Sequence, residues 1–66
     1  MRVDKSKLSL AMARACMTPE SLTAAAGMPR PTVNNVISGR SVMPVTLGKV
    51  ARALGVDPAD IIKEGE

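Results

Sequence analysis

Proline and glycine divide this chain into segments of helical length, and that division limits the fold more than any other feature of the sequence. Three prolines stand at segment starts and three glycines at segment ends: Pro19, Pro44, Pro58, Gly27, Gly39 and Gly55. Proline suits the first turn of a helix, and glycine suits the left-handed position after the last turn. Short helices joined by tight turns are therefore expected.

Apolar residues at helical spacing predict five such helices and little strand. The segments run from Asp4 or Lys5 to Cys16, from Thr18 to Ala26, from Thr32 to Ser38, from Pro44 to Leu54, and from Asp57 through Ile62. The expected inward stripes are Leu8, Met12 and Ala15; Val33, Val36 and Ile37; and Leu47, Val50, Ala51 and Leu54. Cys16 ends an apolar stretch, and we expect it to be a small core residue rather than a reactive thiol. The fold class is all-α.

The residue types that the chain lacks exclude most chemistry. Its 66 residues include no histidine, no aromatic residue and only one cysteine. Ser-His or Cys-His pairs, His-containing zinc sites and an internal disulfide are therefore ruled out. A chain of this length also buries only about 60% of its unfolded surface, so we expect no enzyme, metal or cofactor site. Single-strand binders use aromatic stacking, so double-stranded DNA is the better candidate partner.

Charge is distributed unevenly along the chain. Residues 1–56 carry eight basic and two acidic groups, a net +6, whereas residues 57–66 carry one basic and four acidic groups, a net −3. No acidic residue occurs between Ser21 and Val56, but four basic residues do. Such a surface attracts a polyanion, although the counts alone fit a solvated, slightly basic surface equally well.

No segment predicts export or a membrane. The longest stretches without a charged residue have nine residues, too few for a spanning helix or a flanked signal-peptide core. A cytoplasmic protein without a membrane partner is expected.

Residues 18–38 have the spacing of a helix-turn-helix. A single turn centred on Gly27 is too short to let two helices lie antiparallel, so they must cross steeply and the second helix is presented outward. The inward positions are Leu22 and Ala26 on the first helix, Met28 in the turn, and Val33 and Val36 on the second helix.

The wider sequence resembles the DNA-binding domain of the phage Cro and lambda-repressor family, also called the XRE family. The resemblance is carried by MTPESLTAAAGMPRPTVNNVISGR and TLGKVARALGVDPADII, and covers about residues 8–62. It implies a compact five-helix bundle that binds operator DNA, commonly as a dimer, to regulate transcription. A repressor that acts as a homodimer is expected.

The resemblance also indicates which residues face DNA. The positions near bases correspond to Arg30, Pro31, Thr32, Asn34 and Asn35. Arginine pairs bidentately with guanine and asparagine with adenine, whereas proline offers only apolar contact. The positions near phosphates correspond to Thr18, Glu20, Ser21, Arg40 and Ser41, with the backbone amides of Glu20 and Ser21 as the donors at that helix start. Solvent exposure on an outer helix face is the simpler alternative for both asparagines.

Two prolines depart from the family pattern. Pro19 replaces a glutamine that is common in the family, which removes a side-chain phosphate contact and one backbone donor. Pro31 follows Arg30, and a residue before proline is pushed out of the helical region. This rule favours Arg30 as an extended N-cap residue at the start of the recognition helix, about residues 30–38, and shifts its reach into the groove.

The sequence indicates the surfaces for a second copy or another protein less clearly than it indicates the DNA-binding residues. A globule of this size has a radius of gyration of roughly 11 Å, while two half-sites lie about 34 Å apart on DNA, so a single copy cannot read both. Candidate dimer surfaces are the pairs Ile61 with Ile62 and Val42 with Val45, although core packing is the more common use of such residues. An alternative function is an antitoxin-like or adaptor module that binds a basic protein partner through its acidic C-terminal helix.

Overall fold

A computed structural model describes residues 1–63 of the chain, and within them the fold is all-α, as predicted. The four α-helices are α1 Lys5–Arg14, α2 Pro19–Ala26, α3 Arg30–Ile37 and α4 Pro44–Leu54, followed by a single 3-10 turn, Pro58–Asp60. The predicted count of five α-helices is therefore wrong by one. Glu64 and Glu66, two of the four acidic groups counted in the C-terminal segment, lie outside the described residues.

The fifth segment forms only a short 3-10 turn because the backbone that follows it is hydrogen-bonded to the start of the chain. The predicted cap is present, since the Asp57 and Asp60 side chains each accept a hydrogen bond from backbone at the start of the turn. Ile61 then leaves helical geometry, and its carbonyl accepts a hydrogen bond from the backbone N–H of Asp4 at 2.8 Å. This pairing forms an isolated antiparallel bridge between Val3 and Ile62. Long-range pairing has replaced a second helical turn.

The core is built from aliphatic side chains. The largest that are fully buried are Leu8, Leu22, Leu47, Ile61, Val33, Val36 and Val50. The stripes predicted for α3 and α4 are buried, apart from the half-buried Ile37, while α1 contributes Leu8 and Ala11, with Met12 and Ala15 only half-buried against the core. Helix α2 packs against both α3 and α4.

An extended segment at the start of the chain joins two distant parts of the fold. The N–H of Val42 donates to the Met1 carbonyl at 2.6 Å, and the Met1 ammonium donates to the Val42 carbonyl at 2.8 Å. Val3, on the same segment, is buried and pairs with Ile62. Residues 1–3 therefore lie between the loop that precedes α4 and the C-terminal segment.

Cys16 is exposed, so its predicted place in the core is wrong. Helix α1 ends earlier than predicted, and Cys16 takes a left-handed conformation, φ +55°, beyond its last turn. Two hydrogen bonds close this turn: from Met17 N–H to the Met12 carbonyl and from Cys16 N–H to the Ala13 carbonyl. These are the bonds of a Schellman motif. Cys16 occupies the position that glycine fills at Gly27 after α2, where φ is +66°.

No helix in residues 1–63 combines the length and apolar character that a membrane crossing requires.

The left-handed conformation of Cys16 predicts that Cys16→Gly stabilises the domain. A residue with a Cβ atom pays roughly 1 kcal/mol or more for this backbone geometry, and glycine does not. After allowance for the extra freedom of glycine in the unfolded chain, we expect a gain of about 0.5–1 kcal/mol in the free energy of unfolding, measured by urea denaturation.

Two variants control this measurement. Cys16→Ala removes the thiol but keeps the Cβ atom, and should change stability by only a few tenths of a kcal/mol. Gly27→Ala makes the reverse change where an added Cβ meets no atom within 4 Å, and should lose about 1 kcal/mol. Equal stabilities for Cys16→Gly and Cys16→Ala would contradict the explanation.

Candidate nucleic-acid interface

Helices α2 and α3 form the predicted helix-turn-helix. Gly27 ends α2 in the left-handed conformation, and the N–H groups of Gly27 and Met28 both donate to the Thr23 carbonyl, at 3.1 and 3.4 Å. The Met28 side chain is buried and fills the turn. Since only three residues separate the two helices, α3 cannot fold back along α2 and leaves one face open to solvent.

Arg30 is the first helical residue of α3, so the expectation of an extended N-cap is wrong for this residue. Pro29 is the extended N-cap instead, and its carbonyl accepts hydrogen bonds from the N–H groups of Thr32 and Val33 at 3.1 and 3.2 Å. Pro31 is tolerated because it lies in the first turn, where a missing N–H breaks no helical bond. The residue four positions earlier is Gly27, outside α3, so the proline ring meets no helical carbonyl. Arg30 therefore begins α3 even though it precedes a proline.

The outer face of α3 carries most of the residues that the sequence predicts near bases. Val33 and Val36 are fully buried and fix the inner face. Arg30, Pro31, Asn34 and Asn35 are exposed, whereas Thr32 is half-buried at the edge. With about 100° between successive residues, Pro31 lies near the middle of this face, Arg30 and Asn34 lie to one side, and Asn35 lies to the other.

The polar side chains of this face differ in their partners. The Nε–H group of Arg30 donates to Oδ1 of Asn34 at 3.1 Å. The Asn35 side chain has no hydrogen-bond partner within residues 1–63, although its backbone carbonyl accepts from Ser38 Oγ at 3.2 Å and from the Arg40 N–H at 3.0 Å. Asn35 therefore has both its amide donor and its amide acceptor available to a base edge.

The start of α2 offers less to a phosphate than the sequence predicts. Thr18 Oγ1 accepts the hydrogen bond of the Ser21 N–H at 3.1 Å and lies 3.0 Å from Ser21 Oγ. The N–H of Leu22 is bonded to the Thr18 carbonyl, and Pro19 has no N–H. Glu20 N–H is thus the one backbone donor of this turn that has no partner within the described chain. Its own carboxylate, exposed beside it, repels a phosphate.

The loop after α3 holds the remaining predicted phosphate contacts. Arg40 and Ser41 are both exposed. Ser41 Oγ accepts a hydrogen bond from the Met1 ammonium at 3.4 Å. The stem of Lys5 lies over the start of the same loop, since a β-carbon added to Gly39 would lie 3.0 Å from Lys5 Cε.

The cations of Lys5 and Met1 were missed by the sequence reasoning. Both are remote in sequence from the loop and reach it only through tertiary contacts, so no local pattern signals them. They add positive charge at Gly39 and Ser41, the chain neighbours of Arg40, where a phosphate contact is expected. Within residues 1–63, no cluster of His, Cys, Asp or Glu side chains is suited to hold a metal ion.

This arrangement defines a class of protein: a small helical domain with one helix-turn-helix, whose second helix has an exposed outer face of the kind that enters the major groove of DNA. The sequence profile described as the Cro/C1-type HTH DNA-binding domain matches residues 7–63. The chain belongs to this family.

Two solved structures are similar to the domain. The restriction-modification controller protein C.AhdI from Aeromonas hydrophila has a TM-score of 0.73 and 28% sequence identity, over 85% of this chain and 86% of that protein. A mutant of hydroxyethylphosphonate dioxygenase has a TM-score of 0.83 and 24% identity. That match covers all of this chain but only 14% of the dioxygenase, so it shows a shared fold and nothing about activity. No curated protein sequence matches the chain significantly.

The exposed position of Arg40 predicts a sequence-independent role in DNA binding. We expect Arg40→Ala to weaken binding to operator and random duplexes alike and to reduce the slope of log affinity against log salt concentration by about 1, because one phosphate contact is lost. Fluorescence anisotropy titrations at several salt concentrations measure both quantities.

The control is Arg14→Ala, which removes the same charge from an exposed position at the end of α1. A salt slope that falls equally in both variants would show that Arg40 acts only through net charge.

Proposed function

We propose that this domain is a sequence-specific transcriptional repressor that binds operator DNA as a homodimer. The observation that carries the proposal is the outer face of α3, which is exposed, rich in hydrogen-bonding side chains and bordered by the basic loop at Arg40. Such a face suits the edges of bases in the major groove, and the flanking cations suit the adjacent phosphates. The compartment in which it acts is then the one that holds the DNA, in keeping with the expected cytoplasmic location.

In this proposal the recognition residues have separate roles. Arg30 reads a guanine, Asn35 reads an adenine, and Pro31 contacts a thymine methyl group between them. Thr32 and Asn34 border this face. The phosphate contacts come from Arg40, Ser41 and the start of α2, where Glu20 offers its backbone N–H and the hydrogen-bonded hydroxyls of Thr18 and Ser21 offer one remaining donor.

The size of the domain supports a dimer. Its longest dimension is 29 Å and its radius of gyration 10.1 Å, whereas half-sites on one face of DNA lie about 34 Å apart. Two copies, each with one α3, match this spacing, and a symmetric dimer requires a palindromic operator.

Burial narrows the choice of dimer surface. Ile61 is fully buried and is excluded from a surface role, which corrects the sequence expectation for this residue, while Ile62 and Val42 are half-buried against the core. Val45 is 65% exposed and Met43 is 71% exposed at the start of α4. Val45 also borders a groove of about 540 Å³ with Lys49, Arg52 and Pro58. We place the dimer contact on this side of α4.

Repression is the simplest regulatory outcome for such a domain. A protein that occupies the major groove over a promoter blocks other proteins from the same DNA, and this requires no surface beyond the two already described. The similarity to a restriction-modification controller protein supports a regulatory role.

The alternative of an antitoxin-like or adaptor module depends on a C-terminal helix. In the described chain that helix is a single 3-10 turn, with Ile61 in the core and Ile62 paired with Val3. No observation favours this alternative.

The first test is selection of preferred sites from a random duplex pool. We expect a palindrome whose half-sites are centred about one helical turn apart. Val45→Asp should give a monomer in sedimentation experiments and bind the selected operator about 100-fold more weakly, because the two half-sites are no longer linked.

Leu10→Asp is the matched control, since Leu10 is also exposed, at 52%, but lies on α1. It should leave both the oligomeric state and operator affinity unchanged. Selected sites without symmetry, or a wild-type monomer on the operator, would rule out the homodimer.

The free amide of Asn35 predicts a base-reading role. Asn35→Ala should relax the preference at one base pair of each half-site, at a cost of about 1–3 kcal/mol, in competition titrations with single-substituted operators. Binding to random duplex should be unchanged. Equal losses on operator and random duplexes would refute base reading by this residue.

A further inference from the structure

Arg30 and Asn34 form a pair on the outer face of α3. They are four residues apart, so their side chains lie one above the other along the helix. The bond runs from Arg30 Nε–H to Asn34 Oδ1 at 3.1 Å, and both side chains are exposed. Neither side chain is part of the core, to which α3 contributes mainly Val33 and Val36.

The bond divides the hydrogen-bonding groups of Arg30. A guanidinium has five N–H donors, one on Nε and four on the two terminal nitrogens. Asn34 takes the Nε donor, so the four terminal donors remain together at the far end of the side chain. Two adjacent donors of this kind match the O6 and N7 acceptors of guanine.

The same bond restricts what Asn34 can do alone. An asparagine that reads adenine bidentately must offer both its amide oxygen and its amide nitrogen to the base. The bond from Arg30 occupies one of the two acceptor sites of the Asn34 oxygen and directs this oxygen towards Arg30, whereas the side-chain amide of Asn35 is free within the described chain. The two neighbouring asparagines therefore differ in the hydrogen-bonding groups that they can offer to a base, a difference that the sequence alone does not reveal.

From this geometry we propose that Asn34 is a positioning residue for Arg30 and does not read a base itself. It holds the guanidinium so that its terminal edge faces the groove, where it selects a G·C base pair. This proposal rests on the proposed function, because it assumes that α3 enters the major groove. It adds to that function a residue, Asn34, that acts on base recognition only through Arg30.

The test is a double-mutant cycle on the selected operator. Affinities of the wild type, Arg30→Ala, Asn34→Ala and the double variant are measured on the operator, on operators substituted singly at each base pair, and on random duplex. Arg30→Ala identifies the guanine by abolishing the preference at one position. We expect Asn34→Ala to lower the preference at that same position about threefold to tenfold and to leave random-duplex binding unchanged, which also shows that the variant is folded.

In the Arg30→Ala background, Asn34→Ala should have no further effect. Asn34→Asp keeps an acceptor for the Nε donor, so it should retain the guanine preference while its negative charge weakens binding to every duplex. Asn35→Ala is the internal control and should keep its full effect, at a different base pair, in the Arg30→Ala background.

Three results would overturn the inference: additive effects of Arg30→Ala and Asn34→Ala, a preference lost at a base pair that Arg30 does not read, or no guanine preference that depends on Arg30. In each case the wild type still binds its operator, so operator binding by the domain stands, and the third result removes only the guanine contact assigned to Arg30. A wild type that selects no sequence from the random pool instead refutes the proposed function itself.

Discussion

Every helix of this domain is too short to be stable on its own, and this constraint determines how the interface is held. The helices have eight to eleven residues, below the roughly 12–15 residues at which isolated helices become marginally stable in water. Their stability therefore depends on burial. Helix α2 packs against both α3 and α4 and contributes the fully buried Leu22. The direction of α3, and so of its outer face, follows from the packing of aliphatic side chains beneath it.

The local rules of helix formation account for most of the fold. The cap at Thr18, the proline starts and the glycine ends of α2 and α4 were all predictable, because each depends on only a few adjacent residues. The core residues of α3 and α4 followed from their spacing. The family resemblance and the outer face of α3 were likewise evident in the sequence.

The errors have a common physical origin. The prediction of a fifth α-helix was wrong because Ile61 and Ile62 pair with a segment from the other end of the chain. Such long-range pairing is not signalled by the residues next to the helix. Cys16 was misplaced because the chain accepts a left-handed residue with a Cβ atom where glycine is usual. Arg30 is helical although a residue before proline is disfavoured in that geometry; Pro31 itself is compatible with the first turn, where it breaks no helical hydrogen bond. Side-chain partners, such as Asn34 for Arg30 and Lys5 for the Gly39 loop, required the assembled structure.

The segment at the start of the chain has a consequence for how DNA would be bound. Residues 1–3 are hydrogen-bonded to the loop at Val42 and, through Val3 and its neighbours, to residues 61–63. Loops that are free in solution lose conformational entropy when a ligand orders them, which weakens binding. Here that entropy is lost when the domain folds, because the loop beside Arg40 is already tied to the rest of the protein. The phosphate contact proposed for this loop therefore requires little further ordering of its backbone.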